Sequence, residues 1–429
     1  MSPSIRLLIS CLVLIGPATA AHGQLRGHGG PVRAIAISRD GAHAISGSFD
    51  TTVILWSLAS GAAEGVLRFH QRPVNAVAFL KDGGMATSGE DADIAIWEPR
   101  AAKPARVLKG HTAPIVSLAA SPDGGALASA SWDGTARVWS LGDNSSRVLE
   151  GHQQNVNGVV FAPDGRSVIT AGYDLTLRIW PLAEGIGTPK VVTLPSPLNA
   201  VAVAPDAGII TAGATGKVYF LSMHGELQGE ADAAEVPIIA LAVSPDGALA
   251  AASSIRGGTA IIDIGQRKLL HTLVGPGLPA WATAFLPDNH TLLTGGTDHL
   301  IRRWNAKAGE HMGEGTMAGP DDALAPYEGD PGAQVFRACV ACHTLKAEDG
   351  PRAGPTLAGI FGRRIASAPG YDFSPALQKL DIVWTPETLS KLFEIGPEAY
   401  TPGTKMPEQK VGADDRASLI KFLEKATAR

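Results

Sequence analysis

Apolar and polar residues alternate in short runs along most of this chain. Val32–Ile37 is one such run and residues 53–56 another, with turns such as Asp40-Gly41 and Asp123-Gly124 between runs. Period-two burial bounded by Asp-Gly turns predicts strand, turn, strand. The pattern then recurs. "LKGHTAPIVSLAASPDGGALASASWDGTARVWSL" at 108–141 follows the plan of "LRGHGGPVRAIAISRDGAHAISGSFDTTVILWSL" at 25–58, and 67–99 and 149–182 repeat it. Trp56, Trp97, Trp139, Trp180 and Trp304 mark one position of this unit. The first four are 41, 42 and 41 residues apart, and the 124 residues from Trp180 to Trp304 hold three further units. Leu221 and Asp263 fill the aromatic position in the eroded fifth and sixth copies. The count is seven units, an internal repeat that has to be settled before any single motif is read.

Other positions keep a fixed offset. Ten residues before the aromatic position stands a hydroxyl in all seven units: Ser46, Thr87, Ser129, Thr170, Thr211, Ser253 and Thr294. Six before it stands Asp50, Asp91, Asp133, Asp174 or Asp298, and the first four units open with His28, His70, His111 or His152. The repeats resemble WD repeats, four strands each. The resemblance implies an all-β seven-bladed propeller over residues 23–313, in which hydroxyl, imidazole, carboxylate and indole form one structural network. Four copies of Ser/Thr, His and Asp argue against a hydrolytic triad, because an active site is rarely built four times over. Residues near 23–26 and near 310–312 are each able to supply the strand that closes the last blade.

Composition changes this picture little, and the N-terminus changes it more. Fifty glycines and thirty prolines suit a turn-rich β-protein. A formal net charge of −5 without long runs of one sign argues against a nucleic-acid surface. Arg6, a nine-residue largely apolar run at 7–15, and small residues Ala18 and Ala20 predict a signal peptide over residues 1–20, cleaved after Ala20. The run is too short to span a bilayer, which takes about 20 residues. A periplasmic location is therefore expected. Beyond the signal only Cys339 and Cys342 remain as thiols.

Residues 314–329 are rich in Gly, Pro and acidic side chains and read as a linker. After it comes "FRACVACHTL" at 336–345, holding Cys339-x-x-Cys342-His343. Two thiols at this spacing can add to the two vinyl groups on one porphyrin edge, and the adjacent imidazole is placed to ligate iron. "GPTLAGIFGRR", "APGYDFSPAL", "WTPETLSKLF" and "YTPGTKMP" follow in order, and residues 414–426 carry a helical apolar pattern. These motifs resemble the mitochondrial-type class I cytochromes c and their bacterial relatives, over residues 330–429.

That resemblance implies a small all-α domain holding one covalently attached haem c, with His343 and Met406 as axial ligands. It further implies that the Pro355 carbonyl fixes the proximal imidazole, and that Arg363, Trp384 and Thr404 contact the haem propionates. There are departures. Phe373 and Leu377 stand where the family often has polar groups, and Leu392 or Phe393 where a tyrosine often meets the Met sulfur. Residues 327–429 hold 13 basic and 13 acidic side chains, so no lysine-rich docking ring is implied.

With both axial positions filled, iron offers substrate no open site, which favours single-electron transfer over catalysis. The expected function is a periplasmic c-type cytochrome whose propeller docks redox partner proteins. Alternative readings are a redox enzyme whose propeller carries a second centre, and a haem-based gas or redox sensor. The propeller offers no clustered ligands for the former, and fold alone does not decide activity.

Overall fold

The computed structural model describes residues 24–183, 188–206, 208–312, 324–337, 339–340, 342–406, 409 and 411–428. The expected signal peptide, and residues 314–323 of the expected linker, lie outside the described residues.

Among the described residues, six four-stranded and one five-stranded antiparallel sheets form the seven blades of a propeller. Blade one is typical, with strands Val32–Ile37, His43–Ser48, Thr52–Ser57 and Ala63–Arg68. Every blade carries a register shift next to the first residue of its inner strand, as at Val32/Ala34. Such a bulge increases the local twist, which neighbouring blades need in order to fan around an axis. The apolar faces of successive blades pack together. Val32, Ile54 and Trp56 of the first blade share a core with Leu293 and Ile301 of the last. Ile45 and Val53 pack with Val74, Met85 and Trp97 of the second.

Both candidate closing segments are used. Gln24–Leu25 pairs with Ile301 and Arg302, while Glu310–His311 pairs with Trp304 and Asn305 of the same strand. Two dipeptides thus divide the outer edge of blade seven between them.

The repeated polar residues form the expected networks. In blade one the Trp56 indole donates to Ser46 Oγ (2.8 Å), which lies 2.7 Å from His28 Nε2. His28 Nδ1 donates to Asp50 (2.9 Å), and Asp50 also accepts from the Gly29 N–H (2.7 Å). Blades two, three and four repeat the arrangement through His70, His111 and His152. The eroded blades satisfy their hydroxyls locally. Thr211 donates to the Ala200 carbonyl, and Ser253 pairs with Thr259.

These networks set an acid limit. Burial by itself would raise the Asp50, Asp91, Asp133 and Asp174 carboxyls, but their histidine, hydroxyl and backbone donors outweigh it, and all four fall below the ordinary carboxylate value. A folded-state value below the unfolded one means stability that is present above about pH 4 and lost as pH falls below it. The urea midpoint of the full chain should therefore drop steeply below about pH 4, and Asp133→Asn should flatten that drop. A midpoint independent of pH down to 3 would contradict the assignment.

The C-terminal region is helical. Among the described residues, five α-helices cover Pro331–Phe336 (α1), Pro375–Gln378 (α2), Pro386–Ile395 (α3), Pro397–Tyr400 (α4) and Ala413–Ala426 (α5). Each of the first four begins on a proline whose missing N–H costs nothing there. Asp330 caps α1 by accepting from Gly332 and Ala333, and Thr385 caps α3 in a reciprocal pair with Thr388. The apolar stripe of α5, Leu419, Ile420, Phe422 and Leu423, is buried against Phe336 of α1 and Leu389, Leu392 and Phe393 of α3. These three helices form the frame that holds the loops between them.

Candidate haem site

The cavity lies between α1, α3 and the intervening loops, with a volume of about 340 Å³. Cys339, Cys342, His343, Pro355, Arg363, Trp384, Thr404 and Met406, all eight residues singled out from the sequence, line it. Leu357, Ile360, Leu389, Leu392 and Phe393 supply an apolar wall.

Cys339 and Cys342 follow directly on α1, on backbone turns closed by Cys339 N–H to the Phe336 carbonyl (2.7 Å) and His343 N–H to that of Cys339 (3.0 Å). The two sulfurs are not joined in a disulfide. Burial pushes the thiols up, to about 11 for Cys339 and about 12 for Cys342. A dithiol oxidoreductase needs the opposite, a depressed thiol.

The His343 imidazole is half-buried, and desolvation lowers its pKa, with the Pro355 carbonyl opposing. Its Nδ1–H donates to that carbonyl at 2.8 Å, which fixes the tautomer and leaves Nε2 as the free lone pair. Gly354 makes the contact possible, because a Cβ there would run into the imidazole and the Cys342 carbonyl.

Also on the cavity lining, the Met406 N–H donates to Thr404 Oγ1 (3.1 Å), and the Thr404 N–H to the Thr401 carbonyl (3.1 Å). Thr401 is buried and ties to Pro397 of α4 through its hydroxyl (2.7 Å). The Met loop therefore hangs from α4 by successive hydrogen bonds. Arg363 and Trp384 are neighbours because their backbones pair, Trp384 N–H donating to the Arg363 carbonyl (2.9 Å). The Arg363 guanidinium donates to the Ala358 and Thr356 carbonyls at 2.9 and 2.8 Å, which holds it at the cavity.

These residues fit a haem. Paired thiols, an imidazole with an oriented lone pair and a thioether line one largely apolar cavity, whose lining also includes Arg68, Arg363 and Arg364. Sequence similarity agrees. A cytochrome c family model matches residues 329–427. Over 98 residues the chain is 43% identical to cytochrome c of Cochliobolus lunatus, covering 22% of this chain and 90% of that protein. It is 43% identical over 98 residues to cytochrome c of Arabidopsis thaliana, 22% of this chain and 87% of that one. This chain belongs to the cytochrome c family. A third relative, cytochrome c type-1 of Ascaris suum, is 42% identical over 107 residues, 24% of this chain and 92% of its own. The cytochrome c domain implies a haem and suggests electron transfer.

The remainder of the chain is similar to a second family. The WD domain, G-beta repeat model matches residues 21–57, 61–98, 102–140, 143–181 and 267–305. The blades without a match are the fifth and sixth, which lack the Asp and the Trp. A WD-repeat propeller suggests a scaffold for protein–protein contact. No helix among the described residues is long and apolar enough to cross a membrane.

Five further residues line the cytochrome c cavity and were not legible in the sequence: Gly29, Asp50, Thr52, Arg68 and Gln71, all from blades one and two. Each reads as an ordinary repeat position. Only the docking of the two folded parts brings them to the cavity.

Proposed function

We propose that this chain is an exported, periplasmic c-type cytochrome that transfers single electrons, with its propeller as the docking scaffold for redox partner proteins. Cys339 and Cys342 would hold one haem through thioether bonds, and His343 and Met406 would ligate its iron. The observation that carries the proposal is the 2.8 Å bond from His343 Nδ1 to Pro355. It presents Nε2 as a ligand in the same cavity as the two thiols and the only methionine of the domain.

Held by these residues, a haem would supply one-electron ferrous–ferric chemistry, and the imidazole–thioether pair would raise its potential. The protein's part is to keep both ligands in place in either state, so that little reorganises when charge changes. Pro355 holds the imidazole, Thr404 holds the Met406 backbone, and the apolar wall excludes water. Arg363 and Trp384, which line the same cavity, would hold the haem carboxylates.

The alkaline pyridine spectrum of purified full-length protein tests this. The proposal expects one haem per chain, with both vinyl groups saturated, retained through acid–acetone extraction. Extractable haem, or a ratio other than one, would sink the covalent assignment. N-terminal sequencing of the periplasmic fraction should begin at Ala21. A cytoplasmic protein starting at Met1 would refute export.

A further inference from the structure

We propose that blades one and two are part of the haem site, with Arg68 and the His70 carbonyl positioning the two axial-ligand loops. The inference rests on the reading that the cavity holds haem.

Three contacts carry it. Arg68 ends the outer strand of blade one, and its Nη2 donates to the carbonyls of Arg352 (2.8 Å) and Ala353 (3.1 Å). Its guanidinium also stacks 4.1 Å from the centre of the Tyr371 ring, whose hydroxyl donates to the same Ala353 carbonyl (3.1 Å). The Ala353 N–H in turn donates to the Gly27 carbonyl (3.1 Å). Residues 352–353 are thus gripped from both sides, two residues before the proline that orients His343. On the other ligand, Lys405 Nζ donates to the His70 carbonyl (2.9 Å), next to Met406 in sequence.

The anchors are among the most constrained points of the propeller. His70 is pinned by Asp91 (2.9 Å) and Thr87 (2.8 Å), so its carbonyl has little freedom. Gly29 is held by Asp50, and a Cβ on Gly29 would overlap Cys342 Sγ. The propeller wall therefore meets the attachment sulfur without a gap. Arg68 Nε, on the cavity wall, is buried with no hydrogen-bond partner among the described residues. The repeat does not dictate this use. Lys109, at the equivalent place in blade two, pairs instead with Asp93 of its own blade (3.0 Å).

A wall of this kind excludes water and restrains the weaker thioether ligand, both of which raise the potential. The test uses full-length, haem-loaded protein. Haem content, the midpoint potential and the rate at which the ferrous form binds carbon monoxide are measured for Arg68→Ala, Arg68→Lys, Lys405→Ala and Lys109→Ala. Arg68→Ala and Lys405→Ala should keep wild-type haem content, lower the potential and speed carbon monoxide binding about tenfold, the scale of one lost charge-assisted hydrogen bond. Arg68→Lys should recover part of both effects, and Lys109→Ala should match wild type. The proposal is overturned if Arg68→Ala and Lys405→Ala match wild type, or if Lys109→Ala shifts both readouts as strongly. Should Arg68→Ala fail to fold, Lys405→Ala, which leaves every propeller side chain in place, decides alone. A wild-type protein lacking haem would instead refute the underlying reading.

Discussion

Met406→Ala is expected to leave haem attached while removing the long-wavelength sulfur-to-iron absorption of the ferric protein. Carbon monoxide should then bind the ferrous form without a competing ligand. The midpoint potential should fall by roughly 0.1–0.3 V, a fraction of the ~0.8 V that axial ligands span. The reason is chemical: a thioether favours Fe(II), and water or hydroxide in its place favours Fe(III). The other methionines, at 1, 85, 223, 312 and 317, precede the domain, so it holds no substitute sulfur. Nor do Leu392 and Phe393, which line the same cavity, offer a polar atom to take over. An unchanged spectrum and potential would show that some other group ligates the iron.

Trp139→Ala should cost the propeller about 3–5 kcal/mol, the scale for truncating a buried aromatic. The side chain is 2% exposed and packs with Leu108, Ile115 and Leu127 between blades two and three. Its indole donates to Ser129 Oγ (2.8 Å), which also holds His111 Nε2 (2.8 Å). Truncation therefore opens a cavity and loosens the network that orders the Asp133 turn. Urea unfolding followed by far-ultraviolet circular dichroism would measure the loss, with the haem absorption followed in parallel. A shift under about 1 kcal/mol would mean that neighbouring blades collapse into the space.

Much of this was open to reading because the repeat states it several times over. Five tryptophans at near-constant spacing give the blade number even where Leu221 and Asp263 replace the indole, since a blade's length is fixed by four short strands. The cavity was legible for a different reason. Attachment, proximal orientation and the Met loop each depend on residues close together in sequence, such as Cys339 with His343, or Thr404 with Met406. What stayed hidden is non-local. Arg68 meets Arg352 across 284 residues and Lys405 meets His70 across 335. No periodicity distinguishes Arg68 from Lys109 before both parts are folded. The closing of blade seven was ambiguous for a similar reason: two segments had the right composition, and the structure uses each for half an edge.

That divided edge bears on the order in which the molecule can be made. Gln24–Leu25 leaves the ribosome before any other strand, yet its partner, Ile301–Asn305, is synthesised almost last in the propeller. The opening strand must wait unpaired through nearly the whole of translation. Even then it gains only a two-residue pairing. Two residues further on, Gly27 accepts the Ala353 N–H of the cytochrome c domain. The last-made domain thus fastens the first-made strand. Until that domain has folded, the Gln24–Leu25 seam lacks the Gly27–Ala353 tie, so closing the ring and folding the cytochrome c domain support each other.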